Sequence, residues 1–509
     1  EGARVKSPDS AIMFRDDEKN LYFVETPSDE FVSMYGIAEG KLPGAGGKID
    51  GANATFSHIE MINTLSHKIG KRVPYSAQFV PANGKEALKS KEWREKAMFP
   101  EMKSLVDMGC FAIVPRSSMP KGQKTISGRW VFVRKHDTDG NMTRLKGRYV
   151  ARGFSQREGI DYAANHTYAP VASPEVVRAQ LCFAAHRRQH AHQLDIGNAF
   201  IVSDLEEKIF MPIPYGLREY YESAGLTFPS GEDMVVQLKK TLYGLVQSSF
   251  CFFQTLVESL TGLGFVKSTE PCFFTRKEAD GTISTITIYV DDLVITFSDE
   301  KVMQKFKIDL ENSHDMFTVE DRGVVNHLLG VKVEYDRENG KFSISQEAYI
   351  EKLFERFDLH EIDRQLVPMK KEDALMFSKP ARWELEMLKQ GKTVDNSRCD
   401  ATLYKAVIGS ALHAVKWTRI DAMTAVYYGA TAMHAPTNDA LLVAKKILRY
   451  MWDTKHLKLN YDCASCEPTF TGFGDADLAG WHNGRSRTGW FVRFGGAGDR
   501  NAPICWYSK

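Results

Sequence analysis

Ser284-Thr285-Ile286-Thr287-Ile288-Tyr289-Val290-Asp291-Asp292-Leu293-Val294-Ile295-Thr296-Phe297-Ser298 is the most regular run in the chain. Two runs rich in β-branched residues flank Asp291-Asp292, and such runs suit a pleated, half-buried surface. The stretch predicts a hairpin with two acids at its tip. A hairpin that needed only a turn would use Asn-Gly or Asp-Gly. Two adjacent carboxylates repel each other, by on the order of 4 kcal/mol at about 4 Å and an effective dielectric near 20. A divalent cation would neutralise them, and hard oxygen ligands suit Mg²⁺ or Mn²⁺. On the dipeptide alone, the competing reading is two acids facing water.

Working outward, a third acid lies in His192-Gln193-Leu194-Asp195-Ile196. Leu194 and Ile196 would face away from it on a strand, and an acid on an apolar strand is costly without a partner. Asp195 with one or both of Asp291 and Asp292 could hold two metal ions roughly 3.5–4 Å apart, the arrangement suited to in-line phosphoryl or nucleotidyl transfer. Farther upstream, residues 129–134 and 144–151 read as two strands of a hairpin turning at Asp139-Gly140. Between Lys121 and Glu158 there are ten Lys or Arg against three Asp or Glu. That excess reads either as a solvated hairpin surface or as a nucleic-acid site.

The rest of the chain frames these segments. Its 509 residues carry 66 basic and 65 acidic side chains, 43% hydrophobic and 26% charged residues. These values exclude wholesale disorder and collagen-like architectures, and the length predicts several domains. No run of about 18 apolar residues predicts a membrane span. Eight cysteines are too few for a disulfide scaffold and fit a reducing compartment. Cys463 and Cys466 form one CxxC, with Cys505 and His482 as the available further ligands, so packing is favoured over zinc. The first residue is Glu1, so the chain reads as a fragment or processed product. Residues 1–80, with the glycine-rich stretch from Gly40 to Gly51, read as a linker or the tail of a preceding domain.

Helical periodicity is expected over 86–107, 174–189, 242–264, 345–360 and 401–455. Strands are expected at 192–200, in a hairpin over 328–344, and from Thr469 onward. The order predicts an α+β domain with helical additions. No GxxxxGK[ST] or GxGxxG phosphate loop occurs.

Tyr289-Val290-Asp291-Asp292 matches the YxDD box of reverse transcriptases, and an ordered series around it resembles the copia-type LTR retrotransposon polymerases. That series includes Arg129-Trp130-Val131-Phe132, Arg148-Tyr149-Val150-Ala151-Arg152-Gly153-Phe154-Ser155-Gln156, Leu194-Asp195-Ile196, Ala199-Phe200 and Leu242-Tyr243-Gly244-Leu245. It continues through Leu329-Gly330, Ile408-Gly409-Ser410, Leu448-Arg449-Tyr450 and Gly474-Asp475-Ala476-Asp477. The resemblance covers about residues 82–509.

The resemblance implies a right-hand polymerase: fingers and palm over 82–335, a thumb over 336–395, a connection over 396–465, and a truncated RNase H-like domain over 466–509, after a leader over 1–81. Asp195, Asp291 and Asp292 would be the catalytic, metal-binding triad, with two Mg²⁺ or Mn²⁺ ions. Lys135 and Arg148 would contact the dNTP triphosphate, with Arg134 or Lys146 as substitutes for Lys135. Phe200 would exclude a 2′-hydroxyl or be a core aromatic; Tyr243 would lie near the base or ribose or pack. Leu329, Gly330 and Val331 would hold the primer end. Asp475 would be an isolated RNase H remnant, so no RNase H activity is expected, and its incomplete sheet would expose an unpaired edge.

Implied partners are an RNA template, DNA primer-template, RNA–DNA hybrid, dNTPs, and integrase and capsid parts of one polyprotein, with no membrane. The implied place is a cytoplasmic virus-like particle, with the cDNA passing to the nucleus. Departures are visible. The family's K-Q-x-P-R after the Leu242 box is here Val246-Gln247-Ser248-Ser249-Phe250, L-N-G-D is Ile201-Val202-Ser203-Asp204, and T-R-P-D is Thr418-Arg419-Ile420-Asp421. They leave a second reading open, a decayed element that binds nucleic acid without extending it.

Overall fold

The computed structural model describes residues 4–6, 12–16, 21–26 and 79–508, apart from 137–141, 232, 315–316, 375, 378–397, 478–485 and 497–501. Most of the expected leader, the Asp139-Gly140 turn, His482 and part of the 336–395 unit lie outside these residues.

The run over 284–298 forms its hairpin. Ile283–Tyr289 pairs antiparallel with Asp292–Phe297, and Tyr289 stands opposite Asp292, leaving Val290 and Asp291 as a two-residue turn. The hairpin lies inside a six-stranded antiparallel sheet. Its order is Val266–Lys267, Phe273–Lys277, Ile283–Tyr289, Asp292–Phe297, His190–Gly197, Thr318–Val324. The last four strands join helices Ser248–Gly262 and Glu300–Asn312 in a β-α-β-β-α-β unit. Numbered by their order in the chain, those four run second, third, first, fourth across the sheet.

Helix Pro174–His186 backs this sheet, and its contacts explain the threonines in the apolar run. Buried Gln180 donates to Thr285 Oγ1 (3.0 Å) and the Val294 carbonyl (3.0 Å), and accepts from the Thr287 hydroxyl (2.7 Å). These bonds satisfy polar groups that burial would otherwise leave costly.

Two expected helices are corrected. The 86–107 segment divides into Gly84–Lys89, Lys91–Trp93, a π-helical turn Arg94–Met98 and Phe99–Asp107. Ser90 caps the second piece, and Pro100 supplies no N–H to a continuous ladder. The 242–264 helix starts only at Ser248. Gly244 has φ +88°, and an added Cβ would meet the Ala151 carbonyl oxygen at 2.2 Å. Residues 242–247 instead lock onto the segment after the basic hairpin: Ala151 N–H donates to the Tyr243 carbonyl (2.7 Å) and Gly153 N–H to that of Gly244 (3.1 Å).

Helices Glu347–Arg356, Ala401–Trp417, Met423–Thr431 and Asn438–Asp453 share one core around Ile350, Leu353, Tyr404, Ile408 and Ile447. Phe354 stacks on Trp452 at 4.2 Å. Helix Glu347–Arg356 of the expected 336–395 unit therefore packs with the helices of 396–465, since a ten-residue amphipathic helix cannot bury its apolar face alone. The C-terminal strands Phe470–Asp477, Arg487–Phe494 and Pro503–Ser508 form a sheet, and Leu21–Thr26 pairs along Phe470–Asp477. The N-terminal strand thus pairs one edge of Phe470–Asp477 from Phe470 to Gly474, short of Asp475.

Candidate active site

Strand pairing brings the acids together. Asp195 is the register partner of Asp292, so the two carboxylates leave the same face of neighbouring strands. The Asp291 carbonyl accepts from the Ile196 N–H at 2.9 Å, which ties the turn to the central strand. Gln193, two residues before Asp195 and on its face, donates to Asp292 Oδ1 at 3.0 Å.

The turn carries strain. Val290 has φ +58°, where a β-branched residue is a genuine outlier. Such conformations cost on the order of 1–3 kcal/mol and persist where the surroundings dictate them. Here the ladder on one side and the Ile196 bond on the other fix the turn.

Burial raises the pKa of Asp291, and the charges of Asp292 and Asp195 add to it. Asp292 is also raised, first by burial, against the hydrogen bond from Gln193 and the charge of Arg322. Arg322 Nη2 lies 2.9 Å from Asp195 Oδ1 and Nη1 lies 3.5 Å from Asp292 Oδ1. Among the described residues, no three His, Cys, Asp or Glu side chains converge as a metal site. The expected triad is therefore assembled as a facing pair, Asp195 and Asp292, with Asp291 at the corner of the turn and a guanidinium across the pair. The pair already holds a cation, and its oxygen donors suit a hard divalent ion.

The basic hairpin approaches the same acids. Gly128–His136 pairs with Met142–Ala151, and burial alternates along the second strand. Leu145, Tyr149, Trp130 and Phe132 face inward, with Trp130 stacked on Phe132 at 5.3 Å. The register puts Lys135 beside Arg144 and Val131 beside Arg148, so Lys135, Arg144, Lys146 and Arg148 form a cationic stripe on the other face. Lys146 is pulled down to about 8, by burial and then by the charges of Arg148, Arg144 and Lys135. Beneath the stripe, burial pushes Glu101 up to about 7, while its Oε1 accepts from Tyr149 N–H at 3.0 Å.

The guanidinium of Arg148 lies over the Tyr243 ring at 4.8 Å, and its charge works against the raised pKa of Asp291. Burial raises the Tyr243 hydroxyl to about 12. Phe200, on the one-turn helix Ala199–Ile201 just after Asp195's strand, meets Tyr243 edge-on at 5.7 Å. Lys135 lies four strand positions from the Arg148 pair, about 13 Å at 3.3 Å per residue, and is not part of this group.

Leu329 and Gly330 form a two-residue turn between His327–Leu328 and Val331–Asp336, with φ +54° and +79°. Both signs match the primed turns that suit a hairpin. The Val331 side chain is fully buried, so only the turn itself is presented to solvent. Asp475 is exposed on its strand, where its Oδ1 accepts from the Ala476 N–H at 2.9 Å.

Sequence reasoning missed Gln193 and Arg322. Gln193 was readable, since positions 193 and 195 share a strand face. Arg322 was not: its place depends on the pairing of Thr318–Val324 beside Asp195, with Glu320 opposite it.

A sequence profile of the family "Reverse transcriptase (RNA-dependent DNA polymerase)" matches residues 111–371. The retrovirus-related Pol polyprotein from transposon TNT 1-94 of Nicotiana tabacum is 32% identical over 439 residues, covering 84% of this chain and 30% of that protein. That from transposon RE1 of Arabidopsis thaliana is 29% identical over 443 residues, covering 87% and 27%. The putative transposon Ty5-1 protein of Saccharomyces cerevisiae is 25% identical over 317 residues, covering 62% and 92%. The chain thus spans less than a third of the two plant polyproteins. Among solved structures, a foamy viral protease-reverse transcriptase in complex with ds DNA aligns with TM-score 0.35 and 12% identity, over 80% of this chain and 55% of that one.

Proposed function

The chain belongs to the reverse transcriptase family, of the copia type found in plant and yeast transposons, and on that premise we propose that it is an RNA- and DNA-directed DNA polymerase. The observation that carries this reading is the pairing of Asp195 with Asp292 beside the Val290-Asp291 turn, with Arg148 held toward the same acids. In the proposed anatomy, the palm is the six-stranded sheet, the fingers are the basic hairpin, and 82–335 holds both. The thumb and connection, 336–395 and 396–465, would act as one body, followed by the RNase H-like strands of 466–509.

Asp195, Asp291 and Asp292 would hold two Mg²⁺ or Mn²⁺ ions, whose charge would support attack of a primer 3′-hydroxyl on the dNTP α-phosphate. The chain's own residues do the rest. Gln193 orients the Asp292 carboxylate. Arg148 offers a planar fork that suits two phosphate oxygens at once. Tyr243 holds Arg148 by its ring face, and Phe200 places an aromatic edge where a ribose would lie. The Leu329-Gly330 turn would support the primer end, and Lys135 would meet phosphates farther along the stripe.

Binding of template–primer would be mostly electrostatic and would weaken steeply with salt. An RNA–DNA hybrid would be recognised by shape and backbone. The proposed setting is a polyprotein with integrase and capsid parts, working in a cytoplasmic virus-like particle, its product later reaching the nucleus.

One observation favours the second reading, a binding remnant: Arg322 takes up the carboxylate pair. Primer extension on poly(rA) with dTTP and Mg²⁺ or Mn²⁺ separates the two. An enzyme extends, whereas a remnant binds template–primer and does not.

A further inference from the structure

Arg322 reaches the acids by strand alternation. It sits on Thr318–Val324, the edge strand beside Asp195, where Glu320 is the register partner of Asp195. Two positions after Glu320, Arg322 shares the face of Glu320 and Asp195. The register slips, at a bulge, between Asp321 and Val324.

This one is fixed by its neighbours. Asp321 accepts from Lys307 Nζ at 2.6 Å and from Gly323 N–H at 2.8 Å, and His192 Nδ1 lies 3.4 Å away. Lys307 comes from the helix behind the strand and is itself buried. With Asp321 tied to Lys307 on one face, Arg322 leaves the opposite face and spans Asp195 and Asp292.

The geometry shows what the guanidinium does there. Its two terminal nitrogens point to oxygens of two different acids, so one planar cation bridges the pair.

We propose that Arg322 is a built-in counter-cation of the carboxylate pair, one that divalent ions must displace before the site can be loaded. The inference rests on the metal-binding reading of Asp195 and Asp292 made above. Arg322 is then a positioning residue with two opposed effects. It keeps two facing carboxylates compatible in the metal-free protein, and it raises the divalent-ion concentration at which they are filled. Because it is 43% exposed, the side chain has room to swing into solvent when displaced.

The test is Mn²⁺ binding, read by electron paramagnetic resonance of free Mn²⁺ and by calorimetry, on the full chain without nucleic acid. Parent, Arg322→Met, Arg322→Lys and Asp292→Asn are compared, with melting followed in EDTA. The expected result is an apparent Kd about tenfold lower in Arg322→Met, about 1.4 kcal/mol. Arg322→Lys, a point charge without the fork, should fall between. In EDTA, Arg322→Met should melt below the parent, and saturating Mn²⁺ should close that gap.

Equal Kd values in parent and Arg322→Met, with binding lost in Asp292→Asn, would overturn the proposal and leave the metal-site reading standing. No Mn²⁺ binding by either protein at millimolar concentration would overturn both.

Discussion

Phe200 meets Tyr243 and Phe252 edge-on, at 5.7 and 6.1 Å, so its ring cannot turn away without losing two aromatic contacts. If that fixed edge excludes a ribose 2′-hydroxyl, Phe200→Val should raise the rNTP to dNTP ratio of kcat/KM by about tenfold to a hundredfold. Single-nucleotide incorporation measures this, and an unchanged ratio would make Phe200 a core aromatic. At this scale, the sequence exposed residue types better than orientations. Asp195 and the Asp291-Asp292 pair were legible because an acid on an apolar strand demands a partner. Their disposition as a facing pair plus a corner was not, since it depends on which residues of two strands fall opposite each other. Val290 gave no warning either. Nothing in a valine signals a left-handed φ, and the ladder and the Ile196 bond impose it.

The basic hairpin was the most legible element, because a period of two is written directly into residues 142–151. Its inward face also carries a testable charge. Glu101 lies beneath it, with its folded pKa raised from the usual 4.5 to about 7, chiefly by burial. The folded state then binds a proton that the unfolded state has released, so stability falls as pH rises through this window. The contribution is full below about 4.5 and is lost above about 7, for on the order of 3 kcal/mol. Glu101→Gln keeps an acceptor for Tyr149 N–H without the charge. Thermal melts at pH 5 and pH 8 should show a smaller decline in Glu101→Gln than in the parent, and equal declines would contradict this. Elsewhere, element boundaries failed where distant backbone intervened. Residues 242–247 have helical periodicity, yet Gly244 is pressed against Ala151 and cannot enter a helix. The Thr418-Arg419-Ile420-Asp421 departure proves benign structurally. Buried Arg419 still grips Asp421 through Nε (3.0 Å) and Nη2 (2.6 Å), and reaches the Met451 carbonyl at 2.9 Å.

Across the whole molecule, the parts meet at Arg178, which is 1% exposed. Its Nε donates to the Ile504 carbonyl (2.6 Å) and Nη1 to those of Lys416 (2.8 Å) and Trp417 (3.2 Å), while the guanidinium covers Trp506 at 4.2 Å. One side chain of the sheet-backing helix therefore joins the helical body and the C-terminal strands. Arg178→Leu would leave three carbonyls, two of them in buried hydrogen bonds, without this donor and should cost about 3 kcal/mol in urea unfolding. It should also speed proteolysis beyond residue 466; unchanged unfolding and cleavage would show that the junction does not depend on it. Such long-range seams were hidden in the sequence. The order of strands and helices was readable, but not the sharing of a core by helices 347–356 and 438–453, nor the pairing of Leu21–Thr26 with Phe470–Asp477. The central claim is that the acids at the Val290-Asp291 turn serve nucleotide addition. Extension of a DNA primer on poly(rA) with dTTP and Mg²⁺ or Mn²⁺, beside an Asp291→Asn, Asp292→Asn double variant, tests it most directly. The account predicts extension by the parent and none by the variant. A folded parent that binds template–primer yet adds no nucleotide with either metal would contradict it.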